Sequence, residues 1–381
     1  NNHNNMENNV RKLKNAYGFD DVSIKPGEIT INPELSDTSV KISNMSLKIP
    51  FLASAMDAIS STTFIKELDK LGGLAVLNLD GIYCRYENTE EIFEDISKEK
   101  KEKVTELMQK IYSQPIKNSL IEKRIMEIKK TGSKCAVSIV PANTKKTLGI
   151  IKDAGADILI VQSTVTTAKH YSNSPVGLIF SEIKKNLKMP IIVGNTVSYK
   201  VTKELMKENV DGILVGVGPG AACTSREVLG IGVPQVTATL DCSLARDDYF
   251  DETGRYVPII TDGGIRTGGD VCKAIASGAD AVMIGTPFAQ TLEAPGLGYN
   301  WGMATPHDSL PRGTRINVGR KTKLKTLLFG PSSSTDGTLN LVGALKVSMG
   351  MVGAKNIKEM HNSNLVLAPS IKTEGKIFQQ Q

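Results

Sequence analysis

A single cysteine on a glycine-rich loop is the residue of this sequence best placed to do chemistry. Residues 215–226 read Val-Gly-Val-Gly-Pro-Gly-Ala-Ala-Cys-Thr-Ser-Arg, with Cys223 at the tip of the loop. The apolar run Ile213–Val215 has the length of a strand, and the glycines and proline after it predict a sharp turn. Most free cysteines are small packing residues, but these glycines leave Cys223 little to pack against. Because loops at strand ends carry reactive groups on a rigid scaffold, the sequence predicts a reactive thiol here.

Polar side chains and glycines follow other apolar runs in the same way. Asp262-Gly-Gly264 and Gly285-Thr286 carry glycine N–H groups that could cradle a phosphate, although such glycines also serve in tight turns. The carboxylate of Glu293 could orient a proton-carrying group, and an isolated Glu is otherwise a solvated side chain. The remaining candidates at the ends of apolar runs are Ser54-Ala-Met-Asp57, Asn78, Gln162-Ser-Thr164 and Gly194-Asn195.

Eight apolar runs of strand length must position these loops. They alternate with amphipathic segments of helical spacing, which predicts a parallel sheet buried on both faces. Eight such units predict an α/β fold of the closed (β/α)8 TIM-barrel type, in which the loops after strands seven and eight commonly bind phosphate. The predicted strands are Pro50–Ala55, Gly73–Leu77, Cys135–Val140, Asp157–Val161, Pro190–Val193, Gly212–Val215, Val257–Thr261 and Ala281–Ile284. The predicted helices are Thr63–Leu71, Ile116–Lys130, Lys145–Ala154, Ile179–Leu187, Ser198–Glu208 and Asp270–Ser277.

The chain outside these units divides into a leader, an insertion and an irregular segment. Residues 1–14 are expected to be a disordered leader, and residues 15–381 a single barrel domain. Residues 88–133 are longer than a usual crossover, so an extra helix is expected to pack outside the barrel. Trp301–Gly330 is punctuated by prolines and glycines, which is typical of a lid or flap.

Composition excludes several classes of protein. The 381 residues carry a formal charge of +6 and no aromatic interleaving of their basic segments, so a nucleic-acid partner is not expected, whereas a phosphorylated small molecule would suit this balance. The five cysteines form no CxxC pattern, which argues against a disulfide framework or a structural zinc site. No apolar run reaches the roughly 20 residues of a membrane span and no signal peptide is recognisable, so a cytoplasmic protein is expected.

These motifs resemble those of the IMP dehydrogenase/GMP reductase family over roughly residues 15–375. The resemblance implies a barrel, usually a homotetramer or octamer, that binds a purine 5′-monophosphate (GMP or IMP) beside a nicotinamide cofactor, NADP(H) or NAD. It also implies that the cysteine attacks purine C2 to give a covalent thioimidate, while the nicotinamide carries the hydride. The motifs stand in family order: Ser54-Ala-Met-Asp57, Gly216-Val-Gly-Pro-Gly220 through Cys223-Thr-Ser-Arg226, Gly232-Val-Pro-Gln235, Asp262-Gly-Gly-Ile-Arg266 and Glu293-Ala-Pro-Gly296.

The resemblance also assigns roles to single residues. Cys223 would be the nucleophile, and Ser225 and Glu293 the hydroxyl–carboxylate pair that relays protons in the reductases. A monovalent cation such as K⁺ would be held by the carbonyls of Gly218, Gly220 and Cys223. The residues expected to hold the nucleotide are Ser54, Met56, Asn195, Asp262, Gly264, Gly285, Thr286, Gly302 and Met303. The residues expected near the nicotinamide cofactor are Gln162, Ser163 and Thr164.

Some positions depart from the family pattern. Most members have Ser where this chain has Ala221, which removes one phosphate hydroxyl, and dehydrogenases carry an acidic residue where it has Gln162. Residues 88–133 are too short for the paired regulatory (CBS) modules that many dehydrogenases insert after strand two. The chain is therefore expected to belong to a compact subgroup without these modules.

The flap helps to choose between the two directions of the reaction. Dehydrogenases hydrolyse the thioimidate with an Arg-Tyr pair on the flap, but residues 304–330 contain Arg312 and Arg315 without such a pair. General-base help is typically worth about 10²–10⁴ in rate, so hydrolysis without it should be slow. The sequence therefore favours a GMP reductase, converting GMP and NADPH to IMP and ammonia. An IMP dehydrogenase and a catalytically silent nucleotide-binding barrel remain the alternatives.

Overall fold

A barrel of parallel strands forms the centre of the molecule in a computed structural model, which describes residues 12–170, 180–302 and 315–368 with Gly375 and Phe378. The strands of the described residues are β1 (Val22–Ile24), β2 (Val40–Ile42), β3 (Met45–Leu47), β4 (Phe51–Ala53), β5 (Leu74–Asn78), β6 (Ala136–Ile139), β7 (Ile158–Gln162), β8 (Ile191–Thr196), β9 (Gly212–Val215), β10 (Ile259–Asp262), β11 (Ala281–Ile284), β12 (Tyr299–Asn300), β13 (Ile316–Asn317) and β14 (Leu365–Leu367). Strands β4 to β11 pair in parallel and close with β11 against β4. All eight predicted barrel strands are present, so the predicted (β/α)8 TIM barrel is confirmed.

The inside of the barrel is filled by apolar side chains and closed at one end by the β2–β3 hairpin. Inward-facing residues such as Leu52, Ile160 and Leu214 form one buried cluster, which also contains Ile42 and Leu47 of the hairpin. The hairpin immediately precedes β4 and therefore closes the end of the barrel at which the strands begin. The opposite end, where the strands finish, is left for the loops that carry the candidate residues.

Helices cover the outside of the barrel. They are α1 (Thr62–Lys70), α2 (Glu90–Lys98), α3 (Val104–Tyr112), α4 (Asn118–Lys130), α5 (Pro141–Ala154), α6 (Phe180–Lys185), α7 (Tyr199–Lys207), α8 (Ser225–Leu229), α9 (Gln235–Thr253), α10 (Gly268–Ala276), α11 (Thr286–Ala289), α12 (Leu324–Phe329), α13 (Leu341–Met351) and α14 (Ile357–Met360). The six predicted helices correspond to α1, α4, α5, α6, α7 and α10, with boundaries that differ by a few residues. The extra helix expected in residues 88–133 is a pair, α2 and α3, ahead of α4.

The sequence did not predict five helices of the described residues outside the irregular segment, which are α8, α9, α11, α13 and α14. The segment 301–330, expected to be irregular, contains α12 and the short strand β13. Strand β13 pairs antiparallel with β12, so Tyr299 lies opposite Asn317 and Asn300 opposite Ile316. The part of the predicted flap at residues 303–314, with Met303 and Arg312, lies outside the described residues, as do residues 1–11 of the predicted leader.

Strands near the two ends of the described chain meet on the barrel surface. Strand β14 pairs antiparallel with β1, with Val22 opposite Leu367. None of the helices in the described ranges has both the length and the apolar character needed to cross a bilayer.

Candidate active site

The thiol of Cys223 lies on the loop between β9 and α8 and is partly exposed. Its Sγ donates to the hydroxyl Oγ of Ser225 at 3.4 Å, and its backbone N–H donates to the Gly220 carbonyl at 3.1 Å. The other four cysteines are buried, and burial raises the pKa of all four thiols, to about 12 for Cys135 and Cys242 and to about 11 for Cys272. Among the five cysteines, Cys223 is therefore the thiol that a ligand at the barrel mouth can reach.

Two glycines allow the Cys223 loop to approach its neighbours closely. Gly216 has φ +142° and Gly218 has φ +85°, both on the side of the Ramachandran map that favours glycine. A Cβ on Gly216 would lie 2.4 Å from the Asp262 carbonyl oxygen, and one on Gly218 would lie 2.6 Å from Cγ of Arg226. The glycine-rich sequence thus packs the loop directly against the end of β10.

A polar cluster of Gln162, Asn195 and Asp262 lies beside this loop, at the ends of β7, β8 and β10. Asp262 Oδ2 accepts from Nε2 of Gln162 and from Nδ2 of Asn195, each at 3.0 Å. Gln162 Nε2 also donates to Asn195 Oδ1 at 3.0 Å, while Asn195 Nδ2 donates to the Gly216 carbonyl at 2.8 Å. The three predicted side chains are therefore brought together and tied to the Cys223 loop.

Burial of the Asp262 carboxyl group raises its pKa to about 6, although the residue as a whole keeps some exposed surface. The two amide donors oppose this effect by stabilising the charged form. Both of these hydrogen bonds fall on Oδ2, so within the described residues Oδ1 is left for hydroxyl donors of a ligand.

The phosphate-binding loop expected after β10 touches the Cys223 loop. Gly263 and Gly264 have φ +93° and +81°, and a Cβ on Gly264 would lie 3.1 Å from Cβ of Pro219. The candidate nucleophile Cys223 and the candidate phosphate N–H groups therefore belong to neighbouring loops at one rim of the barrel.

The candidates after β4 and β11 also converge. Ser54 N–H donates to the Ile284 carbonyl at 3.0 Å, and a Cβ on Gly285 would lie 3.5 Å from Met56 Sδ and 3.8 Å from Ser54 Oγ. Thr286 begins α11 directly after Gly285. Because β11 is the neighbour of both β10 and β4, this group and the Gly264 loop lie on adjacent strand ends.

The loop expected near the nicotinamide cofactor is held tightly to β8. Ser163 N–H donates to the Gly194 carbonyl, and the Ser163 carbonyl accepts from Asn195 N–H, each at 3.0 Å. The Ser163 hydroxyl bonds to the Val165 carbonyl and to the hydroxyl of Thr166. Ser163 therefore shapes the loop, and Thr164 lies half-buried beside it.

Ser225 and Glu293 have different partners. The hydroxyl of Ser225 accepts from the Cys223 thiol, whereas both carboxylate oxygens of Glu293 accept from Leu324 N–H, at 3.0 and 3.2 Å. No hydrogen bond between Ser225 and Glu293 is present in the described part of the chain, and their role as a proton relay stays a prediction. Gly302 is half-buried after the buried Trp301, whereas Met303 lies outside the described residues.

Gln235 supports the site, yet it was not among the predicted site residues. Its Nε2 donates to the carbonyls of Asp262 at 2.7 Å and Gly263 at 2.9 Å, so it fixes the turn after β10. The residue is buried, and its Oε1 has no hydrogen-bond partner within the described ranges. Its place at the end of the Gly232-Val-Pro-Gln235 motif was the available sequence signal.

Asp57 is a second residue whose surroundings the sequence did not reveal. Its Oδ2 accepts from Tyr112 Oη–H at 2.7 Å and from Ile82 N–H at 2.8 Å. Tyr112 Oη in turn accepts from Trp301 Nε1–H at 2.7 Å. Burial raises the pKa of Asp57 to about 6. A Cβ on Gly81 would lie 2.0 Å from Asp57 Oδ1, so only glycine fits beside this carboxyl group.

Comparison with known proteins gives consistent results. Residues 16–302 match the family model described as the IMP dehydrogenase/GMP reductase domain. An uncharacterized oxidoreductase of Mycolicibacterium smegmatis is 35% identical over 366 residues, covering 94% of this chain and 98% of that protein. Inosine-5′-monophosphate dehydrogenase of Borreliella burgdorferi is 31% identical over 396 residues, covering 92% of this chain and 95% of that protein. The crystal structure of an IMP dehydrogenase/GMP reductase-like protein from Corynebacterium glutamicum superposes with a TM-score of 0.88 at 33% identity, covering 94% of this chain and 96% of that one.

Proposed function

The chain belongs to the IMP dehydrogenase/GMP reductase family of oxidoreductases, and on that premise we propose that it acts at C2 of a purine 5′-monophosphate through a covalent bond to Cys223. One observation carries the proposal: the partly exposed thiol stands on a loop in direct contact with the Asp262 and Gly264 turn. A nucleophile and an anion-binding turn at one rim suit a substrate that has a reactive ring at one end and a phosphate at the other.

The surrounding residues fit such a nucleotide. Asp262, with one carboxylate oxygen held by amides, would accept hydroxyl groups of the ribose, and N–H groups near Gly264 and Gly285 would receive the phosphate. Ser54, Met56 and Asn195 would line the pocket. Backbone groups of Gly302 and Met303 would contact the base.

In the reductase direction, Cys223 Sγ bonds to C2 of GMP and the 2-amino group leaves as ammonia. The residues Gln162, Ser163 and Thr164 are proposed to lie beside a nicotinamide cofactor, for which we propose NADPH, and this cofactor would supply the hydride to C2. As C2 receives it, the C2–S bond breaks and the cysteine is released together with IMP. Ser225, whose hydroxyl is hydrogen-bonded to the thiol, would relay protons during these steps. Glu293 would be the carboxylate that gives protons to this hydroxyl and takes them from it.

The state of Arg315 supports the reductase direction. Its guanidinium donates to the carbonyls of Ile96 at 2.6 Å and Glu99 at 2.9 Å and lies 4.5 Å from the centre of the Tyr299 ring. These contacts give the Arg315 guanidinium a structural role, so it is not positioned to activate a water molecule. Since residues 304–330 also contain no Arg-Tyr pair, the water-activating group of the dehydrogenases has no counterpart in the flap sequence.

A second candidate is the dehydrogenase direction, favoured by the full-length similarity to the inosine-5′-monophosphate dehydrogenase of B. burgdorferi. In that direction Cys223 bonds to C2 of IMP, the hydride passes to NAD, and water cleaves the thioimidate to give XMP. The same pocket and the same cysteine serve both directions, so the residues proposed to bind the nucleotide are unchanged.

A monovalent cation such as K⁺ fits the carbonyls of the Cys223 loop. Across the described residues, the carbonyls of Gly218 and Cys223 accept no backbone hydrogen bond, and that of Gly220 accepts one from Cys223 N–H. Carbonyl oxygens with free lone pairs are suitable ligands for a hard cation. Such an ion would stabilise the Cys223 loop. We further propose a cytoplasmic homotetramer or octamer, with the nicotinamide beside Gln162, Ser163 and Thr164.

A nicotinamide absorbance assay in both directions tests the proposal. We expect oxidation of NADPH that depends on GMP and disappears in Cys223→Ser, because a serine hydroxyl is a far weaker nucleophile than a thiolate. The matched control is Cys272→Ser, whose buried sulfur is 3.5 Å from the Ala344 carbonyl, a bond that a hydroxyl can replace. Reduction of NAD that depends on IMP, without the GMP reaction, would select the dehydrogenase. Nucleotide binding without turnover in either direction would mean that the protein is a catalytically silent nucleotide-binding barrel.

A further inference from the structure

The two extra helices of the insertion, α2 and α3, contact the residues on both sides of the segment 303–314. We call them the inserted pair, residues 90–112. The reaction steps proposed above do not use them, and they are not part of the eight βα units. Their contacts are nevertheless with Trp301, which directly precedes Gly302, and with Arg315.

At the first contact, a buried hydrogen-bond chain joins the inserted pair to the strand-end loops. Trp301 Nε1–H donates to Tyr112 Oη, and Tyr112 Oη–H donates to Asp57 Oδ2, both at 2.7 Å. The Trp301 ring also stacks in a tilted arrangement on Phe93, with centroids 6.0 Å apart. Asp57 belongs to the loop that carries Ser54 and Met56, so one side chain of α3 links two parts of the candidate nucleotide site.

At the second contact, Arg315 holds the end of α2. Its guanidinium donates to the carbonyls of Ile96 and Glu99, in the last turn and at the cap of that helix. Cations are favourable at this place because the last carbonyls of a helix lack partners and carry partial negative charge. The β12–β13 pairing lies between the two contacts and brings Asn300 opposite Ile316.

We propose that the inserted pair is a positioning element of the nucleotide site, with Tyr112 as its positioning residue. By fixing Trp301 against α3 and Arg315 against α2, it places the backbone of Gly302 where the base of the nucleotide binds. That the ligand is a purine nucleotide rests on the proposed function. The placement of Trp301 and Arg315 by the inserted pair is independent of that function.

The test compares two Tyr→Phe variants, each of which removes one hydroxyl that makes a hydrogen bond in or with α3. Tyr112→Phe keeps the ring and removes the acceptor of the Trp301 N–H. Tyr86→Phe is the matched control, because Tyr86 Oη–H donates to the Ile111 carbonyl of α3 at 2.7 Å, whereas the Trp301 N–H donates to Tyr112. Each variant is examined for thermal stability, for Trp301 fluorescence (the chain has one tryptophan), for hydrogen exchange of residues 299–302 and 315–318, and for GMP and IMP binding.

We expect Tyr112→Phe to shift the Trp301 emission, to speed exchange in both peptides, and to weaken nucleotide binding by roughly three- to tenfold, the range expected for one lost hydrogen bond. We expect Tyr86→Phe to match the wild type in all three readouts, even if its melting temperature falls equally. A conservative second variant, Arg315→Lys, should speed exchange in residues 315–318.

Two results would overturn the proposal. One is unchanged exchange and emission in Tyr112→Phe. The other is an equal loss of binding in Tyr86→Phe, which would mean that any weakening of α3 suffices. If the wild type binds neither GMP nor IMP, the proposed function fails, and the exchange measurement still decides whether Tyr112 positions Trp301.

Discussion

At the scale of single residues, Gln162 provides a neutral side chain beside the carboxyl group of Asp262. Its amide nitrogen donates to Asp262 Oδ2 at 3.0 Å, so a neutral donor stands next to a buried carboxyl group. A carboxylate at position 162 would place two acidic groups in contact, and like charges at that distance cannot both ionise without a large cost. Together with the burial of Asp262, the residue type at position 162 therefore influences the response of this site to pH.

We expect Gln162→Glu to make nucleotide binding depend on pH. At low pH the new carboxyl group is protonated and can still donate to Asp262. At high pH the two carboxylates repel each other, so affinity should fall as pH rises through the pKa of the new carboxyl group, by up to about tenfold for each unit by which nucleotide binding raises that pKa. Titration of the Trp301 fluorescence with GMP measures this. Gln162→Met, which removes the donor without adding charge, is the control, and parallel pH profiles for the two variants would contradict the expectation.

At the scale of secondary structure, Glu293 determines where α12 begins. Its carboxylate accepts the N–H of Leu324, the first residue of that helix, and so acts as a cap provided by a distant part of the chain. The same carboxylate is the predicted partner of Ser225 in proton transfer. A structural and a chemical role therefore compete for one side chain, and substitutions can separate them.

We expect Glu293→Ala to lower the free energy of unfolding by about 1 kcal/mol, the usual effect of a lost helix cap, and also to lower turnover. Glu293→Gln keeps an oxygen that can accept the Leu324 N–H but cannot carry charge or take a proton. It should therefore retain the stability and still lose turnover. Thermal melts combined with the nicotinamide assay check this. Full turnover in Glu293→Gln would show that Glu293 caps α12 and takes no part in proton transfer.

The elements that the sequence predicted are those with a local signal. The barrel strands are continuous apolar runs, and their boundaries came within a few residues of the structure. Helix α9 was missed because its buried stripe includes Gln235, Thr239 and Arg246, which interrupt the apolar periodicity. Helix α12 was missed because its cap, Glu293, lies outside the segment.

The residues of the candidate site can also be divided into those that the sequence predicted and those that it did not. Cys223, Asp262 and Gly264 were predictable because strand-end loops of a barrel meet at one rim, and the structure brings these loops together. The bond between Tyr112 and Trp301 joins residues 189 positions apart, and no spacing or motif in the sequence relates them. Contacts of this kind depend on how an insertion packs, which local patterns do not encode.

At the scale of the whole molecule, two buried carboxyl groups make stability depend on pH. Burial raises the pKa of both Asp57 and Asp262 from 3.8 to about 6. The folded protein therefore holds these protons to higher pH than the unfolded chain does. Between about pH 4 and pH 6 the folded state binds more protons, so the free energy of unfolding falls as pH rises through this window. Above about pH 6 both states are ionised and this contribution is constant.

We expect Asp57→Asn to flatten this dependence, because an amide does not titrate while its oxygen can still accept from Tyr112 and Ile82. The wild type should lose up to about 3 kcal/mol through Asp57 between pH 4 and pH 6, and the variant should retain that amount. Urea unfolding at several pH values measures the slope. Asp153→Asn, on the exposed face of α5, controls for the change in net charge. If Asp57→Asn and Asp153→Asn give equal slopes, Asp57 is ionised in the folded protein throughout this range, and the Tyr112–Trp301 chain ends on a carboxylate.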